Sequence, residues 1–113
     1  MHELALCGAI ADVVSRRADG RRVDVVHLRV GALRQVVPDT LSFCWSMVAS
    51  DTPYDGSVLE VERVAAVLRC RGCGAQRQLV DDFAFACAEC GGVDMEVLSG
   101  EEFDLVALDL AEV

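Results

Sequence analysis

Apolar positions at the start of the chain recur with the period of a helix. From Glu3 to about Ala18, the residues Leu6, Ile10, Val13 and Val14, with Cys7 adjoining, fall on one stripe and predict a first helix with one buried face. Arg16 and Arg17 lie in its last turn, where cations complement the carbonyl end of the helix dipole, and Gly20 ends it. The period then shortens to two. Val23 to Val30 places Val26, Leu28 and Val30 on one face and Val25, His27 and Arg29 on the other, the pattern of a strand. After a turn at Gly31, Pro38 suits the first turn of a second helix that carries Leu41, Cys44, Trp45 and Val48 toward a core.

Asp51 to Gly56, with Pro53, is a loop. Alternation resumes from Ser57 to Leu68, a second strand with Leu59, Val61, Ala65 and Val67 on one face. Arg77 to Val80 and Phe83 to Ala86 flank Asp81-Asp82 as a short hairpin. Beyond Gly100, Phe103 to Leu110 is apolar on both faces, as in a strand covered on both sides. The order predicts an α+β fold: two helices on a three-stranded sheet with an inserted four-cysteine zinc ribbon. The expected domains are residues 1–67 with 100–113, an α/β domain, and residues 68–99, the ribbon.

The ribbon rests on Cys70, Cys73, Cys87 and Cys90, two CxxC pairs with thirteen residues between them, each followed by a glycine, Gly74 or Gly91. Two such hooks put four thiolates around one tetrahedral ion, and the glycines let backbone N–H groups approach the sulfurs. Four protein ligands leave no open position for an activated water, so the zinc is structural. The rival reading is one or two disulfides, in a chain with no other sign of an oxidising compartment. A ribbon of about 30 residues builds little core, so the ion supplies much of its stability.

Hydrophobic residues make up 53% of the 113 and no apolar run approaches the ~18 residues of a membrane span. Leu4 to Val14 follows Glu3 rather than a basic stretch and is broken by Asp12, unlike a signal peptide, so a cytoplasmic location is expected. The net charge is −9, from 19 acidic and 10 basic residues, which disfavours nucleic acid as a partner. All ten basic residues are arginine; without lysine there is no P-loop or Schiff-base lysine, and no GxGxxG or GxSxG occurs. No enzyme active site is expected. Arg16, Arg17, Arg21 and Arg22 cluster as a solvated helix end or a docking patch.

The chain begins Met1-His2-Glu3. The His2 imidazole, its amide nitrogen and the Met1 amine can close fused chelate rings around one ion, with the Glu3 amide or a carboxylate completing the set. Nitrogen-rich tetragonal sites of this kind suit Ni(II) or Cu(II). A terminal histidine is also commonly a frayed, solvated residue. Cys7 and Cys44 read as small buried hydrophobes, with a thiolate ligand as the alternative for Cys7; His27 reads as an exposed strand residue and Trp45 as core.

The start MHE running into a helix, a strand ending Val30-Gly31, the segment PDTLSF from Pro38 and the late double CxxC before a C-terminal strand resemble the HypA/HybF family. That resemblance runs from Met1 to about Leu110 and implies a nickel metallochaperone of [NiFe]-hydrogenase maturation with Ni2+ as cargo and Zn2+ as structural ion. It implies His2 as the nickel ligand, assisted by the Met1 amine and the Glu3 backbone, and Asp39 near the nickel. It further implies, as partners, a HypB-type nickel GTPase and the hydrogenase large subunit, in some members a SlyD-type prolyl isomerase or urease accessory proteins; charge and the lack of a long apolar run already lead us to expect neither nucleic acid nor membrane as a partner. A rival is a zinc-ribbon protein-interaction adaptor without nickel transfer; a CxxC thiol oxidoreductase ranks behind both.

Overall fold

A computed structural model describes residues 2–79 and 86–112. Its elements are helix α1 (His2–Ala18), strand β1 (Val23–Gly31), a 3-10 turn (Ala32–Arg34), helix α2 (Pro38–Val48), and strands β2 (Val58–Val64), β3 (Val67–Cys70), β4 (Gln76–Gln78), β5 (Met95–Ser99) and β6 (Phe103–Leu110). They form two three-stranded sheets, ordered β2-β1-β6 and β4-β3-β5. The fold is α+β, two helices on a three-stranded sheet with an inserted four-cysteine ribbon. The chain divides into two compact units: Met1–Arg29 with Val36–Glu62 and Asp104–Val113, and Val30–Gln35 with Arg63–Phe103. No described helix is long and apolar enough to cross a membrane.

The first unit is held by burial. α1 turns Cys7, Ile10, Val14 and Ala18 inward, all 3% exposed or less, while Leu6 and Val13 are only half-buried, so the stripe centres on Cys7 rather than beside it. α2 contributes Leu41 and Trp45, and β1 contributes Val26 and Leu28. Each such side chain stabilises the fold by about 1.5–3 kcal/mol on burial. Trp45 is core, as its spacing predicts: its ring stacks on Tyr54 at 6.4 Å between centroids, and its indole N–H donates to Ser57 Oγ at 2.8 Å. That bond removes the cost of burying an unpaired donor.

Two expectations change. The alternation from Ser57 to Leu68 does not run as one strand; it breaks at Ala65-Ala66 into β2 and β3, which join different sheets. Ser99 Oγ donates to the Ala65 carbonyl and the Leu79 N–H to the Ala66 carbonyl, both at 2.8 Å. The Gly100 backbone presses on the same place, for a Cβ there would fall 2.8 Å from the Ala66 Cβ. These contacts take the backbone groups that a continuous ladder would use. Likewise β6 is not covered on both faces. None of its residues is buried and Val106 is 49% exposed, because β6 is an edge strand of its sheet.

In the second unit β3 is central, antiparallel to β4 through Leu68↔Arg77 and to β5 through Leu68↔Val97 and Cys70↔Met95. The hairpin expected around Asp81-Asp82 lies largely outside the described residues; within them, β4 pairs with β3. The end of β1 closes onto the segment before β6. Gly31 N–H donates to the Glu102 carbonyl at 2.7 Å, Leu33 N–H to the Gly100 carbonyl at 2.8 Å, and Arg34 Nε to the Glu101 carbonyl at 2.7 Å.

Candidate metal centres

β3 ends on Cys70, which delivers the first hook directly from a strand. The two hooks are built alike. In the first, the Cys70 N–H donates to the Ala75 carbonyl at 2.9 Å and the Gly74 N–H to the Cys70 carbonyl at 2.8 Å. In the second, the Cys87 N–H donates to the Gly92 carbonyl and the Gly91 N–H to the Cys87 carbonyl, both at 2.8 Å. The glycine after each pair has a left-handed backbone, φ +79° at Gly74 and +74° at Gly91, which other residues adopt only at a cost. Its task is to turn the chain; the N–H groups that reach sulfur belong to other residues.

Those donors set the acidity of the thiols. Cys70 is lowered from its usual range first by the Cys73 N–H, with the Gly72 N–H contributing. Cys87 falls to about 7, first through the Cys90 N–H and then the Glu89 N–H. At Cys73 the Ala75 N–H lowers the pKa, but hydrogen bonding with the Cys87 and Cys70 sulfurs and burial outweigh it and push the thiol up to about 12. At Cys90 the Gly92 N–H likewise lowers and the Cys70 and Cys87 sulfurs raise, with a net rise. Within each hook the leading thiol is thus lowered and the trailing one raised.

All four sulfurs lie within 4.8 Å of one another, and the Cys70–Cys90 and Cys73–Cys87 pairs are each 3.6 Å apart. A tetrahedron of thiolates about 2.3 Å from zinc has edges of roughly 3.8 Å, so the donor set fits that ion. All four cysteines are free rather than disulfide-bonded. Cys70 and Cys87 are buried, whereas Cys73 and Cys90 are exposed. The cluster can hold a metal such as zinc, and among the described residues no other three His, Cys, Asp or Glu side chains converge in this way.

At the other candidate site α1 begins at His2, directly after Met1, which lies outside the described residues. The backbone N–H groups of His2 and Glu3 therefore fall in the first turn, where no intrahelical acceptor exists. The Glu3 carboxylate accepts the Val37 N–H at 3.5 Å. Val37 is the N-cap residue of α2 and has no side-chain cap of its own, so Glu3 supplies negative charge at that helix end. Asp39, exposed, stands two residues on, in the first turn of α2. Sequence reasoning missed the Glu3–Val37 bond, which joins residues 34 positions apart.

Cys7 is fully buried and donates to the Leu41 carbonyl at 3.4 Å; burial first, then Cys44 and Glu3, push its thiol up to about 11. Cys44 is half-buried. His27 is half-exposed on β1, its Nε2 3.1 Å from a carboxylate oxygen of Asp109.

Residues 1–110 match the family model described as HypA, hydrogenase/urease nickel incorporation, metallochaperone. The chain belongs to the HypA family. It is 40% identical over 110 residues to the hydrogenase maturation factor HypA of Geotalea uraniireducens, covering 97% of this chain and 99% of that one. To the protein of the same name from a Nostoc species it is 34% identical over 113 residues, covering 100% and 98%. Its fold is similar to the solution structure of the Ni metallochaperone HypA from Helicobacter pylori, with a TM-score of 0.68, 14% identity and 97% of each chain covered. A second solution structure of a HypA protein superposes with a TM-score of 0.58 over 96% of this chain and 88% of the other.

Proposed function

We propose that this chain is a nickel metallochaperone that binds Ni(II) at its N-terminus and delivers it during [NiFe]-hydrogenase maturation, while zinc in the four-cysteine ribbon has a structural role. The observation that carries this reading is the family match across residues 1–110, which takes in both candidate metal regions. Nickel is held by His2 with the Met1 amine and the Glu3 backbone nitrogen, and Asp39 adds charge nearby. The first-turn position of His2 and Glu3 supports this, since their amides give up no helical hydrogen bond when they ligate. The Glu3 carboxylate is engaged at the start of α2, which favours the Glu3 backbone over its side chain as the donor.

Zinc is held by Cys70, Cys73, Cys87 and Cys90, and when bound it locks the two hooks together. The trailing thiols lose their protons on binding; the N–H groups of Cys73, Gly72, Cys90 and Glu89 then carry part of the thiolate charge. The protein acts by capture and hand-over, not by catalysis, in the cytoplasm. Nickel on a few nitrogens of a chain terminus leaves by ligand exchange when a partner offers a better set. The partners proposed are a HypB-type nickel GTPase and the hydrogenase large subunit.

Calorimetric titration of untagged, zinc-loaded protein with Ni(II) tests the reading. The wild type is expected to bind one nickel, and His2→Ala to lose that binding with its zinc content unchanged. Equal nickel affinity in the two proteins would overturn the terminal site.

A further inference from the structure

Four of the chain's ten basic residues, Arg16, Arg17, Arg21 and Arg22, stand within seven positions of each other at the end of α1, and all four are exposed. The left-handed residues Asp19 and Gly20, φ 51° and 82°, end the helix and fold the chain back, with the Arg21 N–H donating to the Ala18 carbonyl at 3.1 Å. Among the described residues none of the four arginines lies within ion-pair distance of a carboxylate. The arginine–carboxylate pairs among the described residues are Arg29–Glu62, Arg69–Glu96 and Arg71–Asp94.

Two of the arginines are instead laid against backbone at the C-terminal strand. Arg17 Nη1 donates to the Leu105 carbonyl at 3.1 Å and Arg21 Nη2 to the Ala111 carbonyl at 3.4 Å. Each bond fixes a guanidinium, and among the described residues its other N–H groups have no further partner. Leu105 and Ala111 are six residues apart, which along a strand is about 20 Å. The Ala111 N–H in turn donates to the Arg22 carbonyl at 3.0 Å, which ties the Arg21-Arg22 end of the cluster to the chain just past β6.

We infer that this arginine strip beside β6 is a docking surface for an extended acidic segment of a protein partner. Guanidinium forks match carboxylates two hydrogen bonds at a time, and a segment of about six to eight residues spans the strip. The partner is a peptide rather than nucleic acid or an anionic membrane because the net charge of −9 repels extended polyanionic surfaces, leaving only a narrow cationic line. The strip lies at the far end of α1 from His2, about 25 Å along a 17-residue helix, so docking there does not occupy the metal-binding terminus. The inference is independent of which metals the protein carries.

The test is fluorescence anisotropy of the full-length protein with a labelled peptide of alternating Asp and Glu, about eight residues long, at ~0.15 M salt. Wild type is expected to bind, with affinity falling as salt rises. Arg16→Gln with Arg22→Gln, which spares both backbone bonds, is expected to weaken binding several-fold, and the fourfold Gln variant by roughly tenfold or more. Arg63→Gln is expected to bind as wild type does, with Trp45 emission reporting the fold of each variant. The inference is overturned if wild type does not bind, or if the fourfold variant binds as tightly as wild type. It is also overturned if duplex DNA or phosphatidylserine vesicles bind more tightly than the peptide.

Discussion

The helical unit and the ribbon unit reach stability by different means. In the first, Cys7, Ile10, Val14, Leu41, Trp45, Val26 and Leu28 form a buried apolar cluster, with α1 packed on α2. In the second, the buried apolar residues among those described are Val30, Ala66, Leu68, Cys70 and Cys87, and two of these are candidate metal ligands. A unit with so few buried side chains depends on cross-links, here backbone clamps at Gly31 and Gly100 and four cysteine sulfurs placed to hold a metal between the hooks. Folding by burial needs no ion in the helical unit, whereas the ribbon unit gathers four cysteine sulfurs that could hold one.

The largest effect that tests this contrast is removal of the ribbon metal. Structural zinc contributes about 10–16 kcal/mol in zinc-finger peptides, so chelation is expected to collapse the amide dispersion of Val67–Cys70 and Met95–Ser99. The single tryptophan, Trp45, reports the helical unit, and its emission should stay that of a buried indole. A red shift of Trp45 in step with metal release would show that the two units stand or fall together.

Next comes the clamp. A Cβ on Gly31 would lie 2.0 Å from the Gly100 carbonyl oxygen, a backbone atom that cannot swing aside. Gly31→Ala is expected to destabilise by about 3 kcal/mol or more, read as a lowered thermal midpoint. A midpoint within about 1 °C of wild type would mean that the crossing is loose.

The smallest effect lies in the helical core. The Cys7 thiol is raised from 9.0 to about 11, so its neutral form is favoured in the folded state. Its contribution is complete below pH 9.0 and is lost as pH rises toward about 11, because the unfolded chain ionises first. Urea midpoints should fall across that window, and Cys7→Ala should flatten the part of the fall due to this thiol. Identical pH profiles for the two proteins would contradict the burial of Cys7.

What the sequence reveals follows how local each constraint is. The four-cysteine cluster of the ribbon is legible because CxxC spacing is a short-range signal, and α1 and α2 because their apolar residues repeat over several turns. The break at Ala65-Ala66 is not legible: the alternation runs through it unpunctuated, and its cause is Gly100, more than thirty residues away. Strand β5 escaped notice because Met95–Ser99 is short and owes its place to pairing with β3. The apolar faces of β6 suggested cover on both sides, yet an edge position leaves Val106 half in solvent. At the N-terminus the proposed chelate rests on the residue types of Met1-His2-Glu3, whereas the link from Glu3 to Val37 is a product of the tertiary fold.

X-ray absorption at the nickel and zinc edges of protein loaded with both metals is the most direct measurement of the central claim, that cargo and structural ion occupy chemically separate sites. The zinc edge is expected to show four sulfur neighbours at about 2.3 Å, and the nickel edge only nitrogen and oxygen, including imidazole scattering that His2→Ala removes. Sulfur around nickel, or nitrogen from imidazole around zinc, would contradict it.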